Sequence, residues 1–316
     1  MPMPVDGFRD HPPGPGRGLK RAALICASLV LAILPVIAQD KESTMTRSAQ
    51  LKVPGATLYY ETHGSGPTLL LIAGGPQDAG VFAGLSALLA DRYTVLAYDP
   101  RGNSRSLFEG AAQPLEVSVQ ADDAAALIAA VGGPAYVFGT SGGAQIGLDL
   151  AARYPQLVRT LVAHEPPSMM LLDDPAPYVA ADEALFATYQ RDGVDAAMGQ
   201  FFAGSGLEED APPPDMEMPP EAMETFARVS GNFEYWLAHG MMPLSIYVPD
   251  VATLRAGTPR IVVAIGEQSV GQPIHEMSLG LARKLEQQPV MFPGDHMGFE
   301  MLAEPFAAKL DEALRH

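Results

Sequence analysis

Three short stretches hold residues whose types and spacing suit acyl-transfer chemistry. The first is Gly139-Thr140-Ser141-Gly142-Gly143, a G-x-S-x-G pattern. Its flanks give it meaning: an apolar run, Ala135–Phe138, precedes it and a helical pattern, Gly142–Arg153, follows. A strained strand-to-helix turn of this kind lifts a hydroxyl above the sheet edge, and small residues at 139 and 143 let strand and helix approach closely. The helix N-terminus after Ser141 offers free N–H groups and a positive dipole end to a developing anion. A serine becomes a nucleophile beside a base that takes its proton, and imidazole has the right pKa near neutrality. Of the seven histidines, His11 and His316 are terminal, His63 sits in an early turn, and His239 and His275 lie in or beside helical stretches. His164 ends a strand. His296, in Gly294-Asp295-His296-Met297-Gly298, is in a late loop beyond the last apolar run and is the expected base. The third stretch is Gly74-Gly75-Pro76, directly after the apolar run Thr68–Ala73. A glycine pair can expose backbone N–H groups to a ligand, so the N–H groups of Gly75 and Gly142 are the expected oxyanion donors.

These residues need elements to hold them, and the chain alternates strand and helix from about residue 50. Thr57–Thr62 alternates apolar and polar residues, as a strand with one exposed face does. Thr68–Ala73, Tyr93–Tyr98, Ala135–Phe138, Thr160–Ala163, Arg260–Ile265 and Val290–Phe292 are short apolar runs, as strands buried on both faces are. Helical spacing covers Phe82–Ala90, Val119–Val131, Gly142–Arg153, Glu276–Glu286 and Pro305–Leu314. Asp122 and Asp123 fall near the expected start of the second helix, where acids suit the dipole. The alternation predicts an α/β fold with a mainly parallel sheet covered by helices on both faces. Sites in such sheets lie beyond the C-terminal ends of the strands, where Gly75, Ser141 and His296 all fall.

The ordered set Gly74-Gly75-Pro76, Tyr98-Asp99-Pro100-Arg101-Gly102-Asn103-Ser104-Arg105-Ser106, Gly139-Thr140-Ser141-Gly142-Gly143 and Gly294-Asp295-His296 resembles that of the α/β-hydrolase superfamily over about residues 51–314. The resemblance implies Ser141 as nucleophile, His296 as base, and Gly75 and Gly142 as oxyanion donors. It also implies that Asp99 and Arg101 brace the site loops. One departure is Ala73-Gly74, where many members have His-Gly. The triad acid usually follows the strand here at Arg260–Ile265, often as Gly-x-x-Asp. This chain has Gly266-Glu267-Gln268-Ser269, with Ser269 in place of the Asp. The acid is then either Glu267, two positions earlier, or Glu165, directly after Thr160–Ala163, where other members carry it. Glu165 is favoured, because Pro166-Pro167 rigidifies it and a buried carboxylate there needs a partner.

Between Glu165 and Arg260 the resemblance implies a helical cap, about residues 167–255, with helices expected at Ala180–Gln190 and Pro220–His239. Pro212-Pro213-Pro214 and Pro219-Pro220 mark an extended connection between them. The cap holds eight of the fifteen methionines, which either pack its helices or form an adaptable apolar pocket with Tyr235 and Trp236.

The formal charge of −17 excludes a nucleic-acid binder, which needs basic surface. The single cysteine, Cys26, excludes a disulfide framework and a Cys-rich metal site. Residues 1–18 are rich in Pro and Gly. Lys20-Arg21 and the apolar run Ala22–Ala38 read as a secretory signal peptide, so the chain divides into 1–48 and a hydrolase domain at 49–316. Uncleaved, the segment would be a membrane anchor; a start at Met45 would give a cytoplasmic protein. The expected function is a serine hydrolase acting on an ester or related acyl bond of a small apolar substrate, with no metal or cofactor. The alternatives are a proline-iminopeptidase-like amidase using Glu208, Glu209 and Asp210, a cofactor-free perhydrolase or haloperoxidase, and a non-catalytic ligand-binding module on the same fold.

Overall fold

The structure is a computed structural model that describes residues 46–205 and 219–316. The expected signal segment, Cys26, Met45, Pro212-Pro213-Pro214 and the acids at 208–210 lie outside the described residues. Among the described residues, no helix is long and apolar enough to cross a membrane.

Among the described residues, nine strands form one sheet: β1 (Arg47–Val53), β2 (Ala56–His63), β3 (Thr68–Ile72), β4 (Thr94–Tyr98), β5 (Leu107–Phe108), β6 (Ala135–Thr140), β7 (Val158–His164), β8 (Arg260–Gly266) and β9 (Val290–Phe292). Their order is β1-β2-β4-β3-β6-β7-β8-β9, with β5 paired to β2. β1 and β2 run antiparallel to their neighbours, and every pairing from β4 to β9 is parallel. The chain leaves β3 to one side for β4 and returns to its other side for β6. The C-terminal ends of β3 and β6 therefore flank the point where the winding reverses, which is where an open α/β sheet offers a crevice.

The helices in chain order are α1 (Ala83–Leu89), α2 (Val117–Val131), α3 (Gly142–Arg153), α4 (Ala176–Asp192), α5 (Val194–Ser205), α6 (Pro220–Gly231), α7 (Phe233–Tyr235), α8 (Met241–Ser245), α9 (Val251–Ala256), α10 (Pro273–Lys284), α11 (Gly298–Met301) and α12 (Ala303–Arg315). Successive strand residues point to opposite faces, so each buried strand feeds two cores. Leu70, Ile72, Leu96, Tyr98 and Val137 pack with Ala121, Leu127 and Ile128 of α2 and Ile146 and Leu148 of α3. Leu69, Leu71, Val95, Phe138 and Val162 pack with Leu85 and Leu89 of α1 and Phe306, Leu310 and Leu314 of α12. Each fully buried Leu or Phe contributes about 1.5–3 kcal/mol relative to exposure.

Three features depart from the sequence reading. β1 was not expected; it is an edge strand that is exposed over most of its length, so it lacks the apolar alternation that marks a strand. α2 starts at Val117 and has no acid in its first turn, so Asp122 and Asp123 do not serve its dipole. Asp123 is instead buried against Arg101. In the insertion between β7 and β8, α5 was not foreseen. The expected Pro220–His239 helix breaks at Asn232 and then widens into a π turn, Trp236–Gly240. Leu185, Ala197, Met198, Trp236, Leu237 and Met241 form a separate cluster among these cap helices.

Candidate active site

Ser141 stands between β6 and α3 at φ 54°, ψ −125°. A non-glycine residue held at positive φ is strained, and the surroundings must over-determine it. Here the Ser141 N–H donates to His164 O at 2.9 Å, tying the turn to the end of β7. Close approach does the rest: a Cβ at Gly143 would fall 2.2 Å from Ile72 O, so only glycine lets α3 start this close to β3.

Gly75 has φ +47°, and a Cβ at Gly142 would lie 3.4 Å from Gly75 N. The Gly75 loop therefore packs against the start of α3, directly after Ser141. Among the described residues neither the Gly75 nor the Gly142 N–H donates to a protein acceptor.

Glu165 directly follows β7, fully buried and also at positive φ, 47°. Its N–H donates to Ala264 O at 2.9 Å, and its Oε1 accepts from the Gly266 N–H at 2.8 Å. Its Oε2 lies 2.7 Å from His296 Nδ1. Burial alone would raise the Glu165 pKa, but the hydrogen bond from His296 and neighbouring imidazole charge outweigh it and hold the carboxyl at about 2. It is thus ionised at neutral pH and fixes Nδ1 of His296 as the protonated ring nitrogen. Glu267 is exposed and makes no hydrogen bond with His296. Of the two carboxylates read from the sequence, the structure brings Glu165 to the imidazole and leaves Glu267 at the surface, because Glu267 begins a short 3-10 turn, Glu267–Ser269, that carries it away. Ser269, where an Asp was expected, is buried.

His296 rides on a turn closed by Asp295 Oδ1, which accepts from Met297 N–H at 2.9 Å. Met297 Sδ accepts from Gln77 Nε2 at 3.7 Å, linking this turn to the Gly74–Gln77 loop. Among the described residues the Ser141 hydroxyl makes no hydrogen bond. In a resting site the contact between nucleophile and base is commonly loose and tightens with substrate.

His164 was set aside in the sequence in favour of His296. It is fully buried, 3.1 Å from Thr140 Oγ1 through Nδ1, and its ring stacks on that of His296 at 6.3 Å. Phe292 and Phe306 enclose it further. Burial pushes its pKa down to about 4, so it is neutral near pH 7. Its position directly before Glu165, on a buried strand end, was the signal available in the sequence.

The Asp99–Ser106 stretch braces the loops, though its charges pair differently from the simplest expectation. Asp99 receives Ala79 N–H at 3.0 Å, Arg105 N–H at 2.9 Å and the Arg105 guanidinium at 2.7 and 2.8 Å. Arg101 instead forks onto Asp123 at 2.8 and 2.6 Å. Both pairs are bidentate, the strong geometry for a guanidinium and a carboxylate.

A pocket opens beside the two free N–H groups, lined by Gly75, Gly142, Ile146, Tyr235, Trp236 and Leu244 among others. It holds only about 10 Å³, room for about one water. Tyr235 and Trp236 line it as expected. No methionine does; Met198 and Met241 pack inside the cap. Among the described residues no group of three or more His, Cys, Asp or Glu is arranged to hold a metal ion.

Comparison with known proteins places the fold and the family. The family described as the alpha/beta hydrolase fold matches residues 67–204. The chain is 34% identical over 271 residues to the uncharacterized hydrolase YraK of Bacillus subtilis, covering 84% of this chain and 94% of that protein. The chain is an α/β hydrolase. A 2-(acetamidomethylene)succinate hydrolase of Mesorhizobium japonicum is 33% identical to the hydrolase over 175 residues, 55% of each chain. The solved structure of a thermophilic esterase from Thermogutta terrifontis superposes on the hydrolase with a TM-score of 0.66 at 20% identity, covering 85% of this chain and 98% of that one. That likeness shows the fold.

Proposed function

We propose that this hydrolase is a serine enzyme that cleaves an ester or related acyl bond of a small, apolar substrate. The observation that carries this reading is the 2.7 Å contact of half-buried His296 with buried Glu165, at the β7 end to which the strained Ser141 turn is bonded. Ser141 Oγ attacks the carbonyl carbon while His296 takes its proton at Nε2, the nitrogen left free by Glu165. Glu165 holds the tautomer and stabilises the imidazolium that forms. The Gly75 and Gly142 N–H groups receive the oxyanion. His296 then gives its proton to the leaving oxygen, and water hydrolyses the acyl-enzyme by the same relay in reverse. The chemistry needs no metal or organic cofactor.

The Trp236, Leu244 and Ile146 lining beside the Gly75 and Gly142 N–H groups supports an apolar acyl group. The amidase alternative drew on Glu208, Glu209 and Asp210, outside the described residues, and nothing in the described pocket adds an acidic group for a substrate amine.

The test is turnover of p-nitrophenyl acetate and longer-chain esters by wild type and Ser141→Ala. Loss of activity by about 10⁴-fold or more in Ser141→Ala is expected. Equal rates would refute the assignment. Failure of a fluorophosphonate to label the folded wild type would favour the non-catalytic binding module.

A further inference from the structure

The loop that carries Gly75 has almost all of its backbone polar groups taken. Gly74 N–H donates to Gln77 Oε1 at 3.3 Å, and Gly74 O accepts from Gln77 N–H at 2.9 Å. Gly75 O accepts from Asn103 Nδ2 at 3.1 Å, and the same amide nitrogen reaches Gln77 O at 2.9 Å. Pro76 has no N–H, and its carbonyl accepts from Asn232 Nδ2 at 2.7 Å. What remains from Gly74 to Pro76 is one donor, the Gly75 N–H. A trans peptide points its N–H opposite its C=O, so the bond that fixes Gly74 O also aims the Gly75 N–H.

Two of these fastenings come from the sheet side, through Gln77 and Asn103. The third comes from the cap. Asn232 is the buried residue between α6 and α7. Its Oδ1 accepts from Ser104 N–H at 2.7 Å, and its Nδ2 also donates to Ser104 Oγ at 2.9 Å. Ser104 is itself at positive φ, 48°, next to Asn103. One side chain of the cap therefore holds both the oxyanion loop and the strained turn that presents the other clamp. One turn earlier on α6, Arg228 pairs at 2.6 Å with the buried Asp78, whose other oxygen caps Gly80 N–H at 2.8 Å. One turn later, Trp236 Nε1 stands 3.4 Å from where a Cβ on Gly75 would lie.

We propose that Asn232 is a positioning residue that couples seating of the cap to assembly of the oxyanion site. With the cap seated, Asn232 and Asn103 hold the carbonyls of Pro76 and Gly75, and the Gly75 N–H faces the reacting carbonyl. With the cap lifted, the Pro76 carbonyl loses its partner and Ser104 its support, and the loop that carries the donor keeps only its Gln77 and Asn103 fastenings. A substrate that fills the space beneath Trp236 and Leu244 thus favours the state that can hydrolyse it. The inference rests on the serine-hydrolase reading and on Gly75 as a donor, and it adds a cap residue that never touches substrate.

The experiment uses the full chain with Asn232→Ala and Asn232→Asp, the latter keeping the shape but not the amide donor. Steady-state kinetics with p-nitrophenyl acetate should show kcat lowered roughly 10- to 100-fold, up to the loss seen when an oxyanion donor is removed, with KM nearly unchanged. A reversible trifluoromethyl ketone, whose adduct carries the oxyanion, should bind more weakly by the same factor as the fall in kcat/KM. Thermal melting identifies which variant is folded, and the kinetics are read on that one. Wild-type kcat in a folded variant, or a rise in KM with kcat intact, overturns the proposal, because the cap would then serve binding alone. Labelling of Ser141 by a fluorophosphonate separates the two readings. With labelling present, an unchanged kcat counts against Asn232 only; with labelling absent in wild type, the serine mechanism itself falls.

Discussion

The sheet and the cap meet at the same pocket but are held by different forces. On the sheet side, every residue of β3 is buried, as is all of β7 except Arg159; Glu165 follows β7, Ser141 follows the largely buried β6, and the His296 turn follows β9, which buries Phe292. On the cap side, α4 buries only Leu185 and α6 buries nothing. α6 and the turns after it are fastened to the sheet side through polar contacts: Arg228 to Asp78, Asn232 to Pro76 and Ser104, and Tyr235 to Gln113 O. Elements with little buried apolar surface open at lower free energy than a core does. Ser141, Glu165 and His296 are thus anchored on the sheet, whereas α4 and α6 sit where the protein yields more easily.

The largest test of the rigid side concerns its buried carboxylate. Glu165→Gln keeps the shape but removes the charge that fixes His296, and a kcat loss of about 10⁴-fold is expected, as for an acid-to-amide change in other triads. Glu267→Gln should leave kcat within about two-fold, because an exposed residue away from such a feature has little to lose. Side-by-side ester assays of the two variants read this directly; equal losses would move the acid back to the β8 end.

Much of that side was legible in the sequence because its geometry is coded locally. Gly75, Ser141 and His296 each follow a short apolar run, and glycine marks the close approaches around them. The acid was not legible to one residue. Glu165 and Glu267 both follow buried strands; the sequence favoured Glu165 through Pro166-Pro167, and the structure brings Glu165 Oε2 to His296 while Gly266 N–H, delivered by the pairing of β7 with β8, holds its Oε1. Asn103 and Asn232 were invisible as a pair, since their partnership depends on how the cap seats and not on any spacing. Asn232 left one trace, as a helix-breaking residue inside an expected helix. β1 escaped for another reason: an exposed edge strand needs no apolar face, so it leaves no period to read.

A smaller effect lies beneath the site. His164 has its pKa lowered from its ordinary 6.5 to about 4 by burial. Between those values the unfolded chain binds a proton that the folded one refuses, so the unfolded state gains as pH falls. Stability should therefore be full above pH 6.5 and decline by a few kcal/mol toward pH 4. A second decline follows from pH 4.5 toward about 2, as Glu165 loses its charge. Urea midpoints at pH 7, 5.5 and 4 measure the first window. His164→Phe, which keeps the aromatic packing against Phe292 and Phe306, should flatten it; a slope that survives in the variant would assign it to another group.

The smallest expected effect belongs to the cap. Phe226 on α6 is 64% exposed, whereas Phe306 on α12 is fully buried among Phe138, Phe292 and His164. Truncating a buried phenylalanine such as Phe306 to alanine removes about 3–5 kcal/mol. Phe226→Ala leaves no cavity, because the ring fills none, and should change stability by no more than about 0.5 kcal/mol. The same denaturation experiment reads it, with m unchanged if the same surface is exposed on unfolding. Its effect on turnover should be equally small, because α6 is held through Arg228 and through Asn232 at its C-terminal end, not through this ring. A loss of several kcal/mol at Phe226 would mean that the outer face of α6 is covered in solution, and the cap would then be no less anchored than the sheet.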